Sequence, residues 1–339
     1  MQTTILGRTN LTVSRTAFGA LPIQRVSFDQ ANTLLRKAYN HGINFFDTAR
    51  GYSDSEEKIG EALADVRPQI IIATKSGAQT SQALLEQVRT SLKKLKTDYI
   101  DILQLHNPSW VPKPGGDDGL YHTLLDLQQK GVILHIGLTS HRLQLAFEAV
   151  QSGLYETVQF PLSSLSSEQD LELVHACKTH NVGLIAMKAM SGGLLTNAST
   201  TFAFLRQYEN VVPIWGIQRE AELDQFLALE ADPPELDQQM WDEINKDRAT
   251  LAGSFCRGCG YCLPCPANIP INMAARMSLL LTRTPMDNFL SASWQEQMER
   301  ITNCSHCGNC KANCPYELDT PQLLQKELTF YRDFASKQA

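Results

Sequence analysis

Residues 44–52 read Asn-Phe-Phe-Asp-Thr-Ala-Arg-Gly-Tyr, an apolar run that stops at an acid and then reaches a phenol five residues later. Ile43, Phe45 and Phe46 have the pattern of a buried strand. Two later runs end the same way. Ile70-Ile71-Ile72-Ala73-Thr74 runs into Lys75, and Ile100 to Leu105 runs into His106. In a barrel of parallel strands, the C-terminal strand ends and the loops after them face one chamber. Asp47, Tyr52, Lys75 and His106 would then meet in one pocket as a proton relay. Tyr52 is the general acid in this reading, Lys75 stabilises its phenolate and lowers its pKa, and Asp47 anchors the lysine. His106 orients a carbonyl oxygen or shares its proton. Singly, an Asp after a strand is usually a turn or cap residue, and a His there is usually structural; the four together favour chemistry.

Phe-Asp-Thr-Ala-x-Gly-Tyr, Ala-Thr-Lys and Leu-Gln-Leu-His, in that order, resemble the aldo-keto reductases. The opening Leu6 to Ser14, the Phe18-Gly19-Ala20 segment and Ser55 to Leu63 add to the resemblance, which covers roughly the first 250 residues. It implies a (β/α)8 TIM barrel, a nicotinamide cofactor, and reduction of an aldehyde or ketone as the small-molecule carbonyl substrate.

The 339 residues suffice for a barrel over 1–250 and a small second domain over 251–339. A net charge of -6 with no basic block argues against nucleic acid as a partner. No apolar run approaches the roughly 18 residues of a membrane helix, and the N-terminus lacks a basic-then-apolar signal, so a cytoplasmic protein is expected. Residues 2–15 read as a hairpin plugging the barrel bottom, and the helix after Tyr52 as capped by Ser53 or Ser55. Trp110, in the loop after His106, is a candidate pocket wall or a loop aromatic over a helix end.

The resemblance also implies cofactor contacts. Thr139 and Ser140, after the strand Ile133–Leu138, stand where the family grips the nicotinamide carboxamide, with Ser140 replacing an amide. Gln159 matches a glutamine that bonds the same group. Met187 occupies a strand end where many members carry an aromatic stacked on the nicotinamide, and methionine sulfur packs on rings too. Lys188 follows, then Gly192, Gly193 and Leu194, whose backbone N–H groups suit a pyrophosphate. Gly216, Gln218, Arg219 and Glu222, around the eighth strand end, fall where the family binds the adenosine half. Arg219 is placed for a 2′-phosphate, favouring NADP(H), with NAD(H) possible; the alternative is a solvated arginine at a helix start. No Gly-x-Gly-x-x-Gly signals a Rossmann domain.

Beyond a helix expected over 235–252 the composition changes. Cys256-x2-Cys259-x2-Cys262-x2-Cys265-Pro is followed by Cys304-x2-Cys307-x2-Cys310-x3-Cys314-Pro. The second run has the bacterial ferredoxin spacing, in which the cysteine before proline ligates the other cluster. By that rule one [4Fe-4S] cluster takes Cys256, Cys259, Cys262 and Cys314, and a second takes Cys304, Cys307, Cys310 and Cys265. Paired Cys-x2-Cys units could instead hold zinc. Residues 266–303 look mostly helical, as in α-helical ferredoxin modules. The expected whole is an NAD(P)H-dependent carbonyl reductase with two clusters as a redox accessory. Two alternatives stand beside it: an electron-transfer protein served by a ferredoxin-like partner, and a catalytically silent nicotinamide-binding scaffold.

Overall fold

The structure, a computed structural model, describes residues 1–251, 255–283 and 286–338. The chain opens with an antiparallel pair, β1 (Thr3–Ile5) and β2 (Thr12–Ser14). Eight strands follow: β3 (Ala17–Gly19), β4 (Phe45–Asp47), β5 (Ile71–Ser76), β6 (Ile100–His106), β7 (Ile133–Thr139), β8 (Thr157–Pro161), β9 (Gly183–Met187) and β10 (Val211–Gly216). They close into a barrel in which each neighbouring pair is parallel and β10 returns to β3. Helices α1 (Phe28–Asn40), α2 (Ser55–Leu63), α3 (Ser81–Leu95), α4 (Leu120–Gln129), α5 (Leu143–Gln151), α6 (Glu168–Thr179), α7 (Ala198–Arg206) and α8 (Glu220–Ala231) alternate with the strands. The expected (β/α)8 barrel is the one observed. Strands covered on both faces read as continuous apolar runs, and β5 is buried at every position.

The N-terminal pair plugs the barrel as expected. Leu6 and Val13 pack with Ala17, Phe45, Ile71 and Ile102, at the N-terminal parts of their strands. Gly7 permits this closeness: at φ +52°, an added Cβ would lie 2.2 Å from the backbone nitrogen of Gly183.

Two local expectations fail. Asp54, not Ser53 or Ser55, precedes α2, and it makes no side-chain cap bond. Asp54 instead pairs with Lys58, while the Ser55 hydroxyl turns inward to donate to the Ala20 carbonyl. The helix expected over 235–252 is α9 (Gln238–Thr250), and Ala252 lies outside the described residues.

The chain separates into two compact units. One holds Met1–Ala189 and Ala198–Met240; the other holds Met190–Asn197 and everything from Trp241. This division differs from a cut at 250/251. Segment 190–197 joins the second unit because Gly192 and Asn197 bond to Arg276 and Glu243. The second unit is mainly helical, with α10 (Thr320–Ser336) lying along a core of Ile269, Met277, Met298, Ile301 and Leu324. Glu327 of α10 accepts bonds from both the N–H and the hydroxyl of Ser278 at a helix start. No helix among the described residues is long and apolar enough to cross a membrane.

Candidate active site and cysteine hollows

Strand ends position the first constellation. Asp47 is the last residue of β4, and the loop after it stays in the ladder: Thr48 N–H bonds the Ala73 carbonyl and Arg50 N–H the Lys75 carbonyl. Lys75 sits within β5, which runs one residue further than expected. Its Nζ donates to Asp47 Oδ1 at 2.5 Å and to the Thr48 carbonyl at 2.6 Å, both groups being almost wholly buried. The same Nζ lies 5.2 Å from the Tyr52 ring centre. His106, closing β6, meets the Tyr52 ring edge-on with 5.9 Å between centres. All four residues are therefore neighbours.

The electrostatics differ from expectation. Burial first, and Asp47 second, push the Tyr52 phenol above its ordinary range. Lys75 does not offset this rise, because its charge is matched by Asp47 at 2.5 Å and lies over the ring face. Burial also holds the Lys75 amine below its usual value, against the opposing pull of Asp47 and Glu56. His106 is brought down to about 3, by burial and then by Lys75, so its imidazole is neutral at physiological pH.

Two further residues serve this site, and the sequence reading assigned neither of them a role. Gln104 donates to Asp47 Oδ2 at 3.2 Å. Glu56, fully buried in the first turn of α2, accepts from Thr74 Oγ1 at 2.7 Å and pairs with Arg50. Their signal was available: a glutamine interrupts an apolar strand at Leu103-Gln104-Leu105, and a buried polar side chain needs partners.

Across β6, β7 and β8, His106 pairs in register with Thr139, and Thr139 with Gln159. Gln159 Nε2 is committed to Asp47 Oδ2 at 2.8 Å, which leaves its carbonyl oxygen to accept. Thr139 Oγ1 accepts the Asn107 N–H at 2.9 Å and keeps a proton to donate. The Ser140 hydroxyl donates to the Arg142 carbonyl and accepts the Arg142 N–H, which leaves one lone pair to accept a further bond. Met187 is half-buried at the end of β9, beside Pro161 in register, and Lys188 follows at φ +56°.

In the glycine segment, the Gly193 N–H donates to the Met190 carbonyl at 2.9 Å, and Gly192 offers its carbonyl to Arg276. Leu194 is buried. At the end of β10, Gly216 pairs with Gly19 and is exposed. At the start of α8, Glu222 accepts the N–H groups of Gln218 and Arg219 and pairs with the Arg219 guanidinium. Trp110 is half-buried, its indole N–H bonded to Asp118 at 2.8 Å.

In the second unit, Cys256, Cys259, Cys262 and Cys314 line one hollow. Cys265, Cys304, Cys307 and Cys310 line another, which Cys262 also borders. None of these cysteines is in a disulfide. Cys256 Sγ accepts the Gly258 N–H at 3.4 Å. Burial pushes the Cys262 thiol up to about 12, so ionisation there calls for a metal. Among the described residues no three His, Cys, Asp or Glu side chains converge as a single metal ion requires.

Comparison with known proteins adds to this geometry. Residues 255–319 match the 4Fe-4S dicluster domain family. The uncharacterized oxidoreductase YqkF of Bacillus subtilis is 32% identical over 212 residues, covering 56% of this chain and 65% of that protein. L-galactose dehydrogenase of Arabidopsis thaliana is 30% identical over 210 residues, 56% of this chain and 66% of its own. The chain thus spans just under two thirds of the length of these curated relatives. Among solved structures, an aldo-keto reductase from Klebsiella pneumoniae in complex with NADPH superposes with a TM-score of 0.62 at 18% identity, covering 73% of this chain and 95% of that one, a likeness of fold. Residues 15–206, more than half of the chain, match the Aldo/keto reductase family, and the chain belongs to it.

Proposed function

We propose that this protein is an NAD(P)H-dependent oxidoreductase that reduces a small aldehyde or ketone, with Tyr52 as general acid and two [4Fe-4S] clusters as a redox accessory. The observation that carries the reading is the Asp47–Lys75 pair lying under the Tyr52 ring, with His106 against its edge. A bound nicotinamide would supply hydride to the carbonyl carbon. For its carboxamide, the Thr139 hydroxyl donates and Gln159 Oε1 accepts, two groups adjacent in register. The NADPH complex of the Klebsiella protein supports the cofactor class. Within the barrel unit, segment 216–222 is the candidate for the adenosine half, with the Arg219 guanidinium shared between Glu222 and the cofactor.

The chain's own groups then divide the work. A phenol held above its ordinary range stays protonated throughout the neutral region, so the acid is always loaded. It gives up its proton only once the substrate oxygen becomes strongly basic, so protonation follows or accompanies hydride arrival. Neutral His106 donates one N–H to that oxygen without competing for the proton. Buried Asp47 holds Lys75 beneath the phenol, ready to stabilise the phenolate at the moment it forms. Replacing Tyr52 by Phe should cut kcat by about 10²–10⁴ while leaving nicotinamide affinity within a few-fold. Full turnover by Tyr52→Phe overturns the assignment.

The two four-cysteine hollows and the dicluster match support two cubes with crossed ligation, Cys314 serving the first and Cys265 the second. Iron and acid-labile sulfide near eight each per chain are expected. Thiols held for iron suit a reducing compartment such as the cytoplasm. Clusters move single electrons, so the dicluster unit also favours a second reading, exchange with a ferredoxin-like partner. Reduction of the clusters by NADPH alone under anaerobic conditions would join the two chemistries; reduction only by a ferredoxin would separate them.

A further inference from the structure

Within the second unit, Arg276 is nearly buried, at 8% exposure. Its Nη1 donates to the Gly192 carbonyl at 3.2 Å, and Nη2 lies 3.6 Å from the Met273 sulfur. The guanidinium also rests against Gly258, between Cys256 and Cys259 in sequence. A Cβ at Gly258 would lie 2.7 Å from Arg276 Cζ. The Gly258 N–H in turn bonds Cys256 Sγ. A buried cation thus lies one backbone bond away from a cysteine of the first hollow. Arg276 belongs to neither cysteine run, and no step of the carbonyl reduction uses it.

We propose that Arg276 is a positioning residue that raises the reduction potential of the cluster held by Cys256, Cys259, Cys262 and Cys314, with the Gly192 carbonyl fixing the guanidinium in place. The inference rests on the two-cluster reading above. Its physics is simple: reduction adds one negative charge to the cluster, and a nearby desolvated cation stabilises the reduced state more than the oxidised one. Groups just outside the ligand cage are a recognised lever on such potentials. The second cluster, held by Cys304, Cys307, Cys310 and Cys265, has no such guanidinium contact among the described residues. The two clusters should therefore differ in potential, the first being the easier to reduce.

Gly192 gives the proposal a second handle. A Cβ there would come within 2.9 Å of Arg276 Nη1, whereas one at Gly193 meets nothing within 4 Å. Both glycines have positive φ, so Gly193→Ala controls for backbone strain in the same loop. The experiment is an EPR-monitored anaerobic redox titration of the full iron-loaded chain in five forms: native, R276Q, R276K, G192A and G193A. R276Q should lower the midpoint of one cluster by about 59 mV or more, a tenfold change in the reduced-to-oxidised ratio for one electron, and leave the other in place. R276K should stay near the native value. G192A should shift the same cluster in the same direction by less, and G193A should not. Unchanged midpoints in R276Q, equal shifts of both clusters, or an R276K shift as large as that of R276Q would each overturn the proposal. If R276Q loses its iron, the contrast between G192A and G193A decides: equal midpoints reject the role. A native protein with far fewer than eight irons refutes the two-cluster reading instead.

Discussion

Asp47 in the barrel is almost wholly buried and Cys256 of the second unit partly so, yet they are held by opposite means. Asp47 receives Lys75 on one oxygen and the amides of Gln104 and Gln159 on the other, from strands β5, β6 and β8. The lysine and both amides are themselves buried, and the strand ladder fixes their positions before any ligand arrives. Among the described residues, Cys256 accepts the Gly258 N–H at 3.4 Å and donates to the Asn272 carbonyl at 3.9 Å, and no side chain holds it. One site is completed by the chain alone; the other is completed by iron. Metal binding is then part of the folding free energy of the second unit and not of the first.

The harshest trial of that contrast is removal of iron. A chelator with a reductant should abolish protease resistance over 255–319 and cost the helix signal of the second unit, while the barrel keeps its cooperative melt. Two-phase behaviour in calorimetry, with only the iron-dependent phase lost, is the expected result. A cysteine unit that stays protease-resistant without iron would place it in the same class as the barrel site.

Next in size is a cut into the barrel network. Asp47→Asn keeps the shape but leaves Lys75 buried beside a neutral amide. Losing one partner of a buried ion pair costs about 3–5 kcal/mol, because the other charge stays behind. The double variant D47N/K75M should recover part of that loss, since no unpaired charge is left. Urea unfolding of the three forms checks both statements. A single-variant loss below about 1 kcal/mol would mean that water reaches the pair and that the site is not self-contained.

A subtler trial is pH. His106 has its pKa lowered from 6.5 to about 3, so the folded chain refuses a proton that the unfolded chain accepts below 6.5. Its contribution to stability is complete above about 6.5 and is lost progressively down to about 3. His106→Gln should flatten that part of the stability-against-pH curve. By NMR, the His106 ring should show no titration between pH 5 and 8. A midpoint near 6.5 would show an imidazole open to water and a looser pocket than the geometry describes.

The same contrast explains what could be read from the chain in advance. The strand order, the plug, the four strand-end residues and the two cysteine runs were legible, because each is written in short-range pattern: apolar runs that stop at a polar residue, and thiols at fixed spacing. Gln104 and Glu56 were visible as letters but not as partners, since their roles depend on which strands and turns close around them. For Ser140, Gly193 and Arg219 sequence shows the donors without showing their local bonds, which go to the Arg142 backbone, the Met190 carbonyl and the Glu222 carboxylate. The affiliation of segment 190–197 was illegible for the same reason, since Arg276 and Glu243 lie far along the chain.

Arg219 gives the smallest effect, and it asks whether any part of the barrel waits for a ligand as the cysteines do. Its side chain is 71% exposed and pairs with Glu222, 25% exposed, three residues on. An exposed pair of this kind contributes about 0–1 kcal/mol, so Arg219→Ala should barely move the melting curve. Its effect on cofactor choice is bounded by the same pairing. To meet a 2′-phosphate the guanidinium must share or leave Glu222, and that competing carboxylate offsets much of the attraction. Arg219→Ala should therefore weaken NADPH by less than about tenfold, roughly 1.4 kcal/mol, and leave NADH unaffected. Glu222→Gln should act in the other direction, freeing the guanidinium and strengthening NADPH over NADH. Should Arg219→Ala instead weaken NADPH a hundredfold, the Glu222 pair would be a resting state that the phosphate displaces. The barrel rim would then share with the cysteine unit a site finished only by what it binds.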